Sequence, residues 1–380
     1  MARAGAFRIA GSWLSDPRTR AVVFQALALA LVVACGWFLI GNTLDNLARR
    51  SIATGFGFLG RPASFAIGET IIPYSAADSY GRAVLVGVLN TLKITAIAIA
   101  LSTLVGLLVG IARLSSNWLV AKLAAAYVET VRNVPLLLQL FLWYAVITES
   151  LPGPRLALQP LPGVFLSNRG LMLPGLADHP VWPAMAMALL VALAAAWALR
   201  RRGPGWLAAA LIPGLPLAVW LGFGAPLAFS VPELRGFNFQ GGVTFSPELS
   251  SLLVGLVIYG GSYIAEIVRG GILAVNRGQV EAGLALGFSR AQILRLIVLP
   301  QALRVIVPPL AGEYHKLTKN TSLAVAIGYP DVVSVLNTMI NQTGQAIEGV
   351  ALIMAVFLVI SLGISLFMNW YNRRVALVER

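Results

Sequence analysis

EAGLALGFSRAQILRLIVLP, residues 281 to 300, lies between two apolar runs that are each long enough to cross a bilayer. It carries Glu281, Arg290, Gln292 and Arg295, and it has Gly283 and Gly287 where one continuous helix should have neither. Gly287 is a natural stop for a short helix beginning near Gln279, because glycine takes the left-handed conformation at low cost. Ser289-Arg290-Ala291-Gln292 then reads as a capping box that opens a second helix. The apolar stripe of that helix is Ile293, Leu294, Leu296 and Ile297, and Pro300 marks its junction with the next span. The pattern predicts two short helices joined by a flexible elbow outside the membrane. Ala282, Gly283 and Ala285 are small enough for a partner backbone to come close, as for a helix that lies in another protein's groove.

The rest of the chain places this segment in a membrane protein. Of its 380 residues, 58% are hydrophobic and only 11% charged, against about a quarter charged in a soluble domain. The formal charge of +13 sits largely at the ends of apolar runs, which fits the bias that sets membrane topology and argues against nucleic acid as a partner. Cys35 is the only cysteine, which rules out an intramolecular disulfide or a cysteine metal cluster. His179 and His315 are too few and too far apart to suggest a metal site. Val32-Val33-Ala34-Cys35 has the look of a lipoprotein cleavage box. The apolar run Ala21 to Gly41 is about twice a signal-peptide core, so the first span is expected to be retained.

Apolar runs mark spans near 21–41, 84–111, 119–147, 181–199, 205–223, 249–275, 301–318 and 349–370. The basic N-terminus, Arg113 with Lys122, Arg200-Arg201-Arg202, the segment holding Arg277, Arg290 and Arg295, and the tail Arg373-Arg374-Arg380 fall on one side. The opposite loop 329–348 has no Lys or Arg, whereas loop 42–83 carries Arg49, Arg50 and Arg61 on the wrong side, as long loops obey the rule poorly. The expectation is an all-α protein of about eight spans with both termini in the cytoplasm. Continuous rather than alternating apolar runs exclude a β-barrel. Four segments follow: 1–80 with the first span and a long periplasmic loop, 81–147, the proline- and glycine-rich loops and helical hairpin of 148–247, and 248–375 with the cytoplasmic segment 276–300.

Tyr127-Val128-Glu129-Thr130-Val131-Arg132 echoes Tyr263-Ile264-Ala265-Glu266-Ile267-Val268-Arg269. In each, a glutamate and an arginine three residues apart share a helix face. The expected pairs are Glu129 with Arg132 and Glu266 with Arg269, since ionisable groups inside membranes are usually paired.

Glu281-Ala282-Gly283, with Gly287 and Pro300 beyond it, resembles the "EAA" cytoplasmic loop of binding-protein-dependent ABC importer permeases. Arg277-Gly278-Gln279-Val280 and Leu299-Pro300-Gln301-Ala302-Leu303-Arg304 are similar to the polar amino-acid branch. So are Asn90-Thr91-Leu92 and Arg132-Asn133-Val134-Pro135-Leu136-Leu137. Lys319-Asn320-Thr321-Ser322-Leu323 resembles that branch's Lys-Asp-Thr-Ser-Leu with asparagine for aspartate, and Gly283 departs from the usual second alanine. The resemblance covers roughly 84–147 and 248–372. Residues 148–247 and the first span are additions to the short family members, which makes this a long form with an extra hairpin.

The resemblance implies a type I (MetI-like) permease in a bacterial inner membrane. A second permease subunit would complete the pathway, and the additions favour an unlike homologous chain over a second copy. Two cytoplasmic subunits would bind ATP and magnesium, and a periplasmic protein would deliver an amino acid. Membrane lipid is the remaining partner. The chain itself has no G-x-x-x-x-G-K-[ST] phosphate loop, in agreement with ATP hydrolysis in a separate subunit. Gln279, Glu281, Ala282 and Gly287 are the expected ATPase-coupling residues.

The second half of span seven, Gly312-Glu313-Tyr314-His315-Lys316-Leu317-Thr318-Lys319-Asn320-Thr321-Ser322, is unusually polar. A break is expected near Lys319 to Ser322, where unwound backbone offers donors to an anion. Glu313 lies about twelve residues into the span, near the midplane at roughly 1.5 Å per residue. Spacing alone allows it to pair with Lys316. The family places an acidic residue here toward the bound amino acid, so Glu313 is expected to take the ammonium and Thr321 and Ser322 the carboxylate. Asn90 and Thr91 are candidate wall residues, and helix–helix hydrogen bonding is the competing use of the same groups. An ion-coupled secondary transporter is the alternative function, but it calls for a repeat over whole half-chains and only the short echo exists. A membrane enzyme calls for a nucleophile near a base or metal ligands, which two isolated histidines and one cysteine do not supply.

Overall fold

The computed structural model describes residues 17–49, 54–199 and 205–375. The basic residues Arg3, Arg8, Arg200, Arg201, Arg202 and Arg380 of the topology argument lie outside them. The helices are α1 (Pro17–Arg49), α2 (Tyr80–Ala112), α3 (Trp118–Asn133), α4 (Leu136–Ala145), α5 (Val181–Leu199), α6 (Gly205–Gly222) and α7 (Pro247–Leu273). They continue with α8 (Arg277–Ala285), α9 (Arg290–Ile293), α10 (Leu299–Asn320), α11 (Val332–Thr343) and α12 (Ala346–Val375). Six helical stretches among the described residues are long and apolar enough to cross a membrane, and a seventh is a bent pair. Ala209–Gly222 is a shorter apolar helix. Together the six, the bent pair and the shorter helix stand at the places of the eight expected spans.

The bent pair corrects the reading of 119–147 as one span. α3 and the helical stretch Leu136–Ser150 meet at 103°. Pro135 has no N–H and pushes Val134 out of the helical region, to φ −101° and ψ 126°. The carbonyls left open at such a break are costly in a membrane. The buried Gln139 amide meets two of them, donating to Val131 O at 3.0 Å and to Val134 O at 2.9 Å.

Contacts divide the chain into two compact units. The first comprises Met1–Ala66, Tyr74–Val84 and Val335–Ala355. α1 exposes its apolar residues along nearly its whole length, Val32 and Cys35 included. Elsewhere in this unit Phe58 is buried edge-on to Tyr80. The Gly55 N–H donates to Glu348 Oε1 at 2.7 Å, and the Tyr80 hydroxyl to Gln342 at 2.8 Å.

The second unit comprises Ile67–Pro73, Leu85–Ser334 and Val356–Arg380, and its axis is α7, the most thoroughly buried of the spanning helices. α2 comes close along small residues. A Cβ on Gly106 would stand 2.5 Å from Ile264 Cβ, and one on Gly110 2.8 Å from Val268 Cβ. Close backbone approach over small residues is the usual basis of helix packing in lipid. Ile94, Leu140, Leu252, Leu256, Leu317 and Tyr329 gather into a core around α7.

Within 148–247, α5 and α6 pack mainly on each other, with Ala188, Ala192 and Ala196 buried at four-residue spacing. The flanking loops add three small antiparallel sheets, among the described residues, to an otherwise helical chain. Leu158–Leu161, Val164–Ser167, Gly170–Leu173 and Val243–Phe245 form a four-stranded antiparallel sheet. Its first two turns are Pro162-Gly163 and Asn168-Arg169, two-residue loops of the hairpin kind.

Candidate functional site

Residues 277–293 form the elbow. α8 ends at Ala285, and Gly287 takes φ +81° with its N–H on Leu284 O. Ser289 and Gln292 close the capping box in both directions. The second helix is not a separate short one, however. α9 passes through a π-helical stretch, Leu294–Val298, directly into α10. A wider turn suits the place where Pro300 brings no N–H and would crowd the carbonyl four residues earlier. The elbow therefore continues into one helical rod from Arg290 to Asn320.

Gly283 is also used within the chain. A Cβ there would stand 2.7 Å from Ile297 Cδ1, so its smallness seats α8 against the rod and not against a partner. Gln279 accepts a hydrogen bond from Gln301, which ties α8 to α10. Glu281, Ala282, Leu284 and Leu286 remain exposed, an acidic group among apolar ones.

Glu313 is 7% exposed and makes the on-helix pair, with Oε2 2.9 Å from Lys316 Nζ. Its Oε1 is buried with no partner among the described residues. Lys316 Nζ also lies 3.3 Å from the Tyr263 ring centroid and 5.4 Å from that of Tyr259. The Arg132 guanidinium stands 4.8 Å from the same Tyr263 ring. The Tyr259 hydroxyl donates to that of Tyr263 at 3.2 Å. One carboxylate, two cations and two aromatic faces thus meet between α3, α7 and α10. Such rings attract cations through the negative charge over their faces.

The remaining expected residues divide. Glu266 pairs with Arg269 at 2.5 Å and also with Arg113. Glu129 does not pair with Arg132: among the described residues it makes no ion pair, because Arg132 is drawn to the Tyr263 ring instead. The Thr321 hydroxyl donates to Thr318 O at 2.8 Å and that of Ser322 to Lys319 O at 2.7 Å. Both hydroxyl protons are spent on the preceding turn, so neither is offered to a carboxylate. Nor does the backbone unwind there, since α10 passes into a 3₁₀ turn, Thr321–Ile327, whose first N–H bonds back to Thr318 O. Asn90 and Thr91 are fully buried and act as pins, not walls. The Asn90 amide donates to Glu69 O and Pro330 O, both at 2.9 Å, and Thr91 Oγ1 accepts from Val332 N at 3.0 Å.

Arg132 is expected from the sequence only as the ion-pair partner of Glu129, and Tyr259 and Tyr263 are not among the expected site residues. The signal was the echo itself, read within each span when its members meet across spans. Tyr127 does likewise, its hydroxyl donating to Ile258 O at 2.6 Å.

The family described as "Binding-protein-dependent transport system inner membrane component" matches residues 206–377. A putative amino-acid ABC transporter permease protein of Escherichia coli K12, YhdX, is 48% identical, covering 96% of this chain and 96% of its own. The general L-amino acid transport system permease protein AapQ of Rhizobium johnstonii is 46% identical over 97% of this chain and 95% of its own. The glutamate/glutamine/aspartate/asparagine transport system permease protein BztB of Rhodobacter capsulatus is 36% identical over 96% of both. With full-length relatives of this kind, the chain belongs to the inner-membrane permease family of binding-protein-dependent ABC transport systems, as a multi-pass protein of that membrane.

Proposed function

We propose that this chain is one transmembrane subunit of an ATP-driven amino-acid importer, coupled through Glu281 and α8 to cytoplasmic ATPase subunits that hold ATP and magnesium. An unlike, homologous permease chain completes the pathway, a periplasmic binding protein supplies the substrate, and both termini lie in the cytoplasm. The observation that carries this reading is the continuous rod. From Arg290 at the elbow to Glu313 is one run of helix, roughly 35 Å at about 1.5 Å per residue. A partner that grips α8 moves the elbow and, through the rod, the acid at mid-membrane, as in a rigid-body switch.

At the other end, the substrate ammonium binds Glu313 Oε1, the oxygen without a partner among the described residues. Lys316 and Arg132 take the carboxylate, which an arginine fork can hold through two bonds. They replace Thr321 and Ser322 in that role. Proteoliposomes containing the permease pair, the binding protein and internal ATP test the reading by uptake of labelled amino acid with and without the ATPase subunits. Uptake that needs the ATPase is expected. Uptake driven by an ion gradient with no ATPase present would make the secondary-transporter alternative correct.

A further inference from the structure

We propose that the cavity among α2, α7, α10 and α12 is a lipid site, with the acyl chains of an anionic phospholipid inside and its phosphate against Arg113 and Arg269. The cavity has a volume of about 880 Å³ and walls that include Leu107, Val268, Val298, Ile306 and Phe367. Thr103 and Tyr314 are among its few polar residues. They satisfy each other at 2.9 Å, and the Thr103 hydroxyl also approaches Ile99 O at 2.7 Å. Walls of this kind do not hold water, because a buried water needs two or more polar partners. In a membrane the available filling is hydrocarbon, and a void would forfeit the dispersion contacts of every wall atom.

Charge selects the headgroup. Arg113 stands between Ala112 and Leu114, both in the wall, and Arg269 adjoins Val268. The two arginines share one acid: Arg269 Nη2 lies 2.5 Å from Glu266 Oε1, and Arg113 bonds the other oxygen. The trio therefore keeps one positive charge. The Arg113 side chain is only 14% exposed, yet Glu266 is its one side-chain partner among the described residues. A guanidinium carries a fork of five N–H donors, so the bond to Glu266 takes up only part of it. A phosphate diester at the membrane boundary supplies several oxygens with the matching charge. An apolar span from a second subunit would fill the walls but leave those donors unanswered.

The assembled complex, exchanged into bilayer discs of phosphatidylcholine with a minor share of phosphatidylglycerol, tests this by native mass spectrometry of the released particles. One phosphatidylglycerol retained per permease chain is expected, in excess over its share of the disc. Arg113→Gln should weaken that preference about fivefold, the factor that roughly 1 kcal/mol per basic residue represents. Leu107→Trp, at a wall position 44% exposed and so with room for the ring, should abolish retention of either lipid while the complex still assembles. No retained lipid, equal retention of both lipids in the unchanged protein, or retention unaffected by both substitutions would each overturn the proposal. The readout involves no amino-acid transport, so its result is independent of the substrate reading above.

Discussion

Lys316 places its ammonium 2.9 Å from Oε2 of Glu313, one turn away on the same helix, and leaves Oε1 of that carboxylate buried without a partner among the described residues. A buried carboxylate with one oxygen unmet is costly. A substrate ammonium at Oε1 removes that cost. Glu313→Gln should leave assembly intact and weaken substrate binding by one to two decades, the worth of a charge-assisted hydrogen bond of roughly 1.5–3 kcal/mol. In the proposed site Lys316 meets the substrate carboxylate, so Lys316→Met should also depress uptake, and the double variant should be no better. If Lys316→Met instead restored uptake to Glu313→Gln, the pair would be a structural bridge only.

At the elbow, the Gly287 backbone at φ +81° resists any residue with a Cβ. Gly287→Val should insert and pair normally but lose ATPase recruitment or the coupling of hydrolysis to uptake. Glu281→Lys should do the same through charge reversal on the exposed surface where the ATPase is proposed to dock. Pull-down of the ATPase subunits, together with the ratio of ATP hydrolysed to substrate imported, measures both. Wild-type values in both variants would remove α8 from the coupling role.

The elbow was legible because its signals are local: a glycine stop, a capping box and a proline lie within one stretch and act on neighbouring atoms. The spans were legible from length and hydropathy for the same reason. Pro135 was also visible, but an apolar run hides a break when the chain resumes an apolar helix two residues later. The site was legible only in part. Glu313 stands out as an acid in an apolar span, whereas Arg132 reaches it through the fold, by way of a tyrosine 131 positions away in sequence. Thr321 and Ser322 misled because the sequence does not reveal that their hydroxyls turn back onto their own helix.

The break at Pro135 depends on one amide. Gln139→Leu keeps the bulk and removes both donors to Val131 O and Val134 O. Two carbonyls are then unmet inside the membrane, at about 1–3 kcal/mol for each group left unsatisfied. The expected outcome is a clear fall in the melting temperature of the complex with uptake per assembled complex preserved. An unchanged melting temperature would mean that other groups serve those carbonyls.

The sheet shows how the inserted hairpin can be removed. Leu173 pairs directly with Val243 across antiparallel strands, so their Cα atoms are about 5 Å apart. Replacing residues 174–242 with Asn-Gly closes the gap with a favoured two-residue turn and removes two helices, which preserves the orientation of everything that follows. If the hairpin is peripheral, insertion and ATPase-dependent uptake should persist. Loss of uptake from a normally assembled complex would place α5 or α6 in the pathway.

Asp331 gives the protein a pH dependence whose sign can be worked out. Its side chain is fully buried outside the spans, where Oδ1 caps α11 by accepting the Ser334 N–H at 2.8 Å and Oδ2 has no partner among the described residues. Glu69 and Lys93 form an ion pair nearby, with Lys93 over the Tyr329 ring. Burial pushes the Asp331 carboxyl up to about 7, against the smaller opposing effect of the Ser334 and Val333 N–H groups. Between the ordinary aspartate value near 4 and about 7, the folded protein keeps a proton that the unfolded chain releases. Stability therefore falls as pH rises through that window and levels off above it. Asp331→Asn keeps a good helix cap and cannot ionise. Its melting temperature relative to wild type should rise steadily from pH 4.5 to 7.5 and then hold constant. A difference that stayed flat over that range would mean Asp331 ionises as easily in the fold as in the unfolded chain.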